Sequence, residues 1–310
     1  MSSTLRICSL LPSTTEIVCA LGLSDNLVGI THECDYPPEI DGITVVTKSL
    51  FDHSTSSSYE INQHITESFF EGNEVHSGSG IYALDNEALK SANPDLILTQ
   101  ELCKVCAVSY DLVEKSIKEL NGLQTVLSFE PSTVEEILET IIGIGEKTDT
   151  EYEANAIVAD SFRIINIIKE KINNIDNSPI VLGLEWLDPF FIGGHWVPEM
   201  IEIAGGINAL GKIKTPSIVV SETEILDAQP NIIVLMVCGF DLEKTINEFS
   251  ILQKNEFWQK YTGQIYAVDG SAYFSRPGPR IIEGIEILSE IIHPEIFPRR
   301  KNTSAWKRIR

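Results

Sequence analysis

Residues 148–177 read TDTEYEANAIVADSFRIINIIKEKINNIDN, and this stretch decides the fold. It holds no glycine after Gly145, and the next proline is Pro179. Val158, Phe162, Ile165, Ile168 and Ile172 recur at three- and four-residue steps, the spacing of a helix with one buried stripe. Ile157, Ile164 and Ile167 widen that stripe. Thr150 with Glu153 offers a capping box at the start. A helix of roughly 26 residues is about 39 Å long, about the width of a domain pair. Placed mid-chain, it predicts a rigid strut joining two lobes: residues 1–130 as an N-terminal α/β lobe, 131–177 as the connecting backbone-helix region, and 178–310 as a C-terminal α/β lobe. An ordinary long core helix of one large domain is the competing reading.

Composition narrows the classes. The 310 residues, 43% hydrophobic, suffice for two cores. A net charge of −22 leaves no surplus of lysine and arginine to neutralise phosphates, so no nucleic-acid partner is expected. The basic cluster Arg299–Arg310 reads as a solvated end. Met1–Arg6 leads straight into Ile7–Leu11 without the pattern of a signal peptide. The expectation is a cytoplasmic protein as encoded, extracytoplasmic if a leader has been removed. No run of 18 apolar residues occurs, so no membrane insertion is expected. Six cysteines (Cys8, Cys19, Cys34, Cys103, Cys106, Cys238) in so long a chain suggest reduced thiols rather than a disulfide framework.

The chain in order alternates strand and helix. Arg6–Leu11 is a strand, and Ser13 with Glu16 is a capping box for a helix that ends at Gly22. Leu27–Thr31 and Ile43–Thr47 are strands, Tyr59–Phe70 a helix, Asp85–Ala92 a short helix and Asp95–Thr99 a buried strand. Tyr110–Leu120 is a helix and Thr125–Ser128 the last strand of the first lobe. Beyond the strut, strands are expected at Ile180–Leu184, Ile218–Val220, Ile232–Val237 and Gln264–Val268. Glu185–Trp196 reads as a long aromatic loop. Helices follow at Pro198–Ala204, Glu222–Ala228, Leu242–Lys254 and Pro279–Ile292. This alternation predicts parallel sheets flanked by helices. Residues 87–98 echo residues 223–234 as helix, proline break and apolar strand, which suggests two related lobes.

In open parallel sheets ligands bind outside the carboxyl ends of the strands. The loops expected there carry Tyr36, Trp186, Phe190, Phe191, Trp196, Phe240, Tyr273 and Phe274. So many aromatic side chains at loop tips suit a wide, flat, partly apolar ligand held between two lobes; packing of the loops on their own lobe is the alternative. Cys103-Lys104-Val105-Cys106 is a CxxC, and His32-Glu33-Cys34 adds soft donors on a neighbouring loop, a set that could ligate a metal ion or touch the metal of a bound cofactor. His195 follows Gly193-Gly194, which leaves the backbone free to bring the imidazole close to a ligand. Arg276, beside prolines, could fork onto a carboxylate or phosphate. No nucleophile elbow, P-loop or HExxH is present, so a non-enzymatic role is expected.

Three motifs carry a resemblance. Ser9-Leu10-Leu11-Pro12-Ser13-Thr14-Thr15-Glu16, the run from Val28 to Pro38 containing Thr31-His32-Glu33-Cys34-Asp35-Tyr36, and Asn93-Pro94-Asp95-Leu96-Ile97 resemble the vitamin B12-binding proteins of ABC importers. Gly205-Gly206-Ile207-Asn208 and Arg276-Pro277-Gly278-Pro279-Arg280 fit the same pattern. The resemblance covers both lobes, and is nearer to the leaderless relatives labelled cobalamin-binding. It implies a two-lobed substrate-binding protein of the class joined by one backbone helix, with cobalamin or another corrinoid, or a similarly large metal chelate, in the cleft. By position it implies that Pro12, Tyr82, Gln100, Trp186, Phe190, Tyr273 and Phe274 line that cleft. His32, Glu33, Cys103, His195, Trp196 and Arg276 are the further ligand candidates, with His32, Cys34, Cys103 and Cys106 as metal candidates. The resemblance also implies docking on an ABC permease through one glutamate per lobe: Glu87 in the first, and in the second a position falling on Thr223 with Glu222 and Glu224 on either side. The competing classes are a cytosolic metal-handling or thiol-redox protein using His32, Cys34, Cys103 and Cys106, and an enzyme acting on a corrinoid or other tetrapyrrole.

Overall fold

The computed structural model describes residues 5–50, 56–70, 82–100, 123–300 and 304–310. Its chain forms two compact units. In the first, β1 (Ile7–Ser9) leads into α1 (Pro12–Ala20), then β2 (Leu27–Gly29), β3 (Thr47–Ser49), α2 (Ser58–Phe70), β4 (Tyr82–Leu84), α3 (Asn86–Ala92), β5 (Leu96–Thr99) and β6 (Thr125–Ser128). The sheet order is β2-β1-β5-β6 and every pairing is parallel. Its central strands are apolar almost throughout, with Ile7, Cys8, Ile97 and Leu98 fully buried, as a parallel sheet covered on both faces requires.

Two local expectations fail here. The capping box at Ser13–Glu16 does not form, because α1 begins two residues earlier than that cap requires, at Pro12, whose fixed φ suits a first helical position. Leu11 becomes the cap residue, and Thr15 turns inward to donate to Ser9 Oγ at 2.8 Å and to the Leu11 carbonyl at 3.0 Å. The strand expected at Ile43–Thr47 touches the parallel sheet only through an Ile30–Val45 bridge. Thr47 instead opens β3, which pairs antiparallel with β4 in a separate ribbon. The helix expected at Tyr110–Leu120 lies outside the described residues.

Along the chain, two helices rather than one separate β6 from the next strand: α4 (Val134–Lys147) and α5 (Glu151–Ile172). At 22 residues α5 is about 33 Å long. Both helices contribute to both units, since Ser132–Ile137 belongs to the second, Leu138–Ala156 to the first, and Ile157 onward to the second again. The buried stripe of α5 is Ala154, Ser161, Ile165 and Ile168, with Val158 and Ile172 half-buried. Phe162 and Ile167 are 40% and 39% exposed, so the stripe is narrower than its apolar residues suggest. Gly145 permits the turn between the helices, because a Cβ there would sit 2.6 Å from the Ala154 methyl.

The second unit contains β7 (Ile180–Leu187), β8 (Phe190–Ile192), α6 (Val197–Ile203), β9 (Ile207–Asn208), β10 (Ile218–Val219), α7 (Glu222–Asp227), β11 (Ile232–Leu235), α8 (Leu242–Leu252), α9 (Glu256–Lys260), β12 (Gln264–Val268), α10 (Gly270–Tyr273), α11 (Ile281–Ile292) and β13 (Trp306–Arg308). Strands β9, β7, β11 and β12 are parallel neighbours, while β8, β10 and β13 pair antiparallel at the margins. The sheet is therefore mixed rather than wholly parallel. The long loop expected at Glu185–Trp196 is instead a hairpin: β7 runs on to Leu187, turns at Asp188-Pro189, and β8 returns along it. Trp186, Phe190 and Phe191 are aromatic residues that favour a pleated, half-buried surface.

The internal echo is structural. Asn93 after α3 and Gln229 after α7 both take left-handed backbone, at φ 42° and 48°, and each precedes a proline and an apolar strand. A left-handed residue closes the helix and the proline stops it from continuing. The residues Ser57–Tyr59 cluster with the second unit, although the chain on both sides clusters with the first.

Candidate functional site

The carboxyl ends of β7 and β11 bring one aromatic group together in the second unit. Trp186 is half-buried, and its ring centroid lies 5.6 Å from that of Phe240, with the planes at 59°. Phe240 itself is buried, and Lys244 Nζ stands 3.9 Å from its centroid, a cation–π distance. The Trp186 indole donates to the Ser58 carbonyl at 3.0 Å, and Ser58 donates through its backbone N–H and its hydroxyl to Glu248 Oε1 at 2.9 and 2.5 Å. Phe190, across the hairpin turn, packs 4.8 Å from Phe257 and 5.5 Å from Trp258 by ring centroids, so one side of it belongs to the core. Ser58, Lys244 and Glu248 escape sequence reasoning. Ser58 is one serine in a serine-rich run, and the other two look like ordinary helix-surface residues.

The return of β8 carries His195 and Trp196 away from this tip. Gly193 N–H donates to the Gly183 carbonyl, four residues and roughly 13 Å of strand back from Leu187. Gly194 is required not by a ligand but by the passing backbone, since a Cβ there would stand 2.6 Å from the Thr215 carbonyl oxygen. His195 takes φ 50°, donates its N–H to Thr215 at 2.7 Å and is half-buried, with Nδ1 buried and without a partner. Trp196 is buried and donates to the Phe274 carbonyl at 2.9 Å; Phe274 is only 1% exposed. That pair is packed as core. Tyr273 is half-buried beside the Arg280 guanidinium, 5.7 Å from its ring centroid. Arg276 is buried and donates to Ser271 Oγ at 3.1 Å.

Burial lowers the pKa of His195, so the imidazole is neutral in the folded chain near neutral pH. The folded pKa lies below the unfolded one, so this group's contribution to stability is present above about pH 6.5 and is lost as pH falls through the folded value. His195→Asn, whose side chain tolerates the left-handed backbone, is therefore expected to lose less thermal stability than wild type between about pH 7 and 5. Parallel melting curves across that range check this; equal losses would show that His195 does not titrate differently on folding.

In the first unit the β2 end gathers polar groups. His32 Nδ1 pairs with Thr47 Oγ1 at 2.7 Å, and Nε2 stands 3.4 Å from Glu33 Oε1. The Tyr82 hydroxyl donates to the same Glu33 oxygen at 3.2 Å, and the His32 and Tyr82 rings meet edge-on at 4.9 Å. Cys34 faces another way, with Sγ 3.1 Å from Thr15 Oγ1. His32, Glu33 and Tyr82 are thus one cluster, and Cys34 belongs to the hydroxyl group around Thr15. Pro12 is half-buried at the start of α1 and Gln100 is buried after β5. Among the described residues no His, Cys, Asp or Glu trio could hold a metal ion. Cys103 and Cys106 lie outside those residues. Of the described thiols, burial raises Cys19 and pushes Cys8 up to about 12, which suppresses thiolate chemistry at both.

The acidic candidates separate clearly. Glu87 is exposed in the first turn of α3. Glu224 is consumed by a capping box: the Ser221 N–H and hydroxyl donate to its carboxylate at 2.8 and 2.7 Å, and those bonds lower its pKa. Glu222 is exposed at the start of α7 and takes no part in that cap.

Among known proteins, an uncharacterized ABC transporter substrate-binding lipoprotein of Bacillus subtilis (strain 168) is 26% identical over 301 residues, covering 94% of this chain and 81% of the relative. A vitamin B12-binding protein of Vibrio cholerae is 22% identical over 303 residues, covering 91% and 86%. Among solved structures, a periplasmic heme binding protein from Pseudomonas aeruginosa superposes with a TM-score of 0.71 at 16% identity, covering 98% of this chain and 97% of the other. The family model for periplasmic binding proteins matches residues 7–263, and with its two α/β lobes and linking helices the chain belongs to that family.

Proposed function

We propose that this protein is the substrate-binding component of an ABC importer and that it binds a corrinoid without chemical turnover. The observation that carries the reading is Trp186: a large aromatic ring left half-exposed at the carboxyl ends of β7 and β11, braced by Phe240 and Ser58. A braced aromatic face suits a broad macrocycle, which gains from ring contact and desolvation. Tyr273 is a second half-buried aromatic of the same unit, after β12. Relatives described as binding vitamin B12 support the corrinoid. Glu87 and Glu222 are the proposed permease contacts, since Glu224 is already committed to its cap.

A haem ligand is the second reading. A periplasmic heme binding protein from Pseudomonas aeruginosa shares the fold, and a porphyrin offers the same broad flat face to Trp186. Titration calorimetry with cyanocobalamin and, separately, with hemin tests both. Saturable one-to-one binding of cyanocobalamin with weaker or absent hemin binding is the expected result. Tight hemin binding with a sharpened Soret band and no cyanocobalamin response would replace the corrinoid with haem, and no response to either would overturn the reading.

A further inference from the structure

We propose that Glu248 and Ser58 act as positioning residues that hold the Trp186 indole in its binding orientation, an inference that rests on the function proposed above. Ser58 opens α2 and is fully buried at 0% exposure, while Tyr59 and Glu60 beside it are exposed. A serine at a helix start usually caps its own helix. Here its N–H and its hydroxyl both donate to one oxygen of Glu248, whose carboxylate therefore stands at the positive end of α2. With both donors engaged, the Ser58 carbonyl accepts the Trp186 indole N–H. A carboxylate, a backbone unit and an indole are thereby joined in series across sequence separations of 190 and 128 residues.

Each link is costly to leave unmade. Glu248 is buried at 7% exposure and Ser58 completely, so a broken bond leaves a polar group without water to replace it. The charge reaches the hairpin turn as well, where burial and then the Glu248 carboxylate raise the pKa of Asp188. Trp186 is therefore fixed at its nitrogen by Ser58 and along its ring by Phe240. An indole already held in place surrenders little rotamer freedom when a ligand stacks on it.

Tryptophan fluorescence reads this directly. Trp196, Trp258 and Trp306 are buried, so Trp186 is the one that a dissolved quencher reaches. Acrylamide is the right quencher, because a chain of net charge −22 repels iodide. Glu248→Ala is expected to raise the acrylamide quenching constant about twofold or more and to weaken cyanocobalamin binding about 3–10-fold, in line with the cost of ordering one side chain. Glu248→Gln keeps an acceptor oxygen and should remain within about twofold of wild type in both measurements. In a Trp186→Phe background, Glu248→Ala should leave affinity unchanged. Unaltered quenching in Glu248→Ala overturns the proposal, as does an affinity loss of equal size with and without Trp186. Should Glu248→Ala not fold, Ser58→Ala, which removes only the hydroxyl donor, must show a smaller rise in quenching, and no rise overturns the proposal. If wild type binds neither cyanocobalamin nor hemin, the function reading falls alone, because the quenching arm needs no ligand.

Discussion

Trp186→Ala is expected to weaken cyanocobalamin binding by about 1–3 kcal/mol, a factor of roughly 5–150 in Kd. A braced aromatic ring is the kind of side chain that dominates a binding surface, because it offers area at low entropic cost. Folding should suffer less than binding. The ring is partly exposed, and its loss removes one bond to the Ser58 carbonyl without opening a core cavity. Tyr273→Ala should act in the same direction, and more weakly if Arg280 already occupies part of its ring. Calorimetric titration beside a thermal melt for each variant decides the matter. Variants that bind like wild type but melt early would place both rings among the packing residues.

Glu290→Ala is expected to lower the unfolding free energy by about 2–4 kcal/mol. Glu290 is 4% exposed and accepts from Arg300 Nε at 2.8 Å and from the Trp306 indole at 2.9 Å. Arg300 keeps a second partner, Glu286, at 2.7 Å, and its side chain is well exposed, so it tolerates the loss. Trp306 has no such recourse, because it is buried and its only donor points at the missing carboxylate. The larger share of the cost therefore falls where β13 meets α11. Urea unfolding of Glu290→Ala and Glu290→Gln measures it. A loss below about 1 kcal/mol in the alanine variant would mean that water enters and replaces the acceptor.

The parallel strands were legible because burial on both faces writes itself as an unbroken apolar run, as in Leu96–Thr99 and Ile232–Leu235. Helix α5 was legible from its period. Helix α4 was legible in principle, since Val134, Ile137, Leu138, Ile141 and Ile144 keep helical spacing and are all buried, but Gly143 and Gly145 within it read as breakers. The β7–β8 hairpin was not legible. Glu185 interrupts the apolar run, and Pro189 in the turn mimics the end of a strand. At the candidate site, a tryptophan beside a strand end stands out in any sequence. The residues that brace it do not, because Ser58 and Glu248 find Trp186 only after two distant segments have folded together.

Strand β13 has a bearing on how the molecule behaves in company. It lies antiparallel along β12, with Trp306, Lys307 and Arg308 opposite Val268, Ala267 and Tyr266. Residues Ile265–Val268 are all buried, so without that cover β12 would offer water a bare apolar ribbon of unpaired N–H and C=O groups. Such a ribbon recruits the same ribbon from another copy, and the product is a strand-exchanged dimer or a fibre. Lys307 and Arg308, both exposed, place positive charge along the rim where an incoming strand would have to lie. The short basic strand therefore closes that edge, and removing it is expected to raise self-association, which light scattering of the truncated and full chains would read.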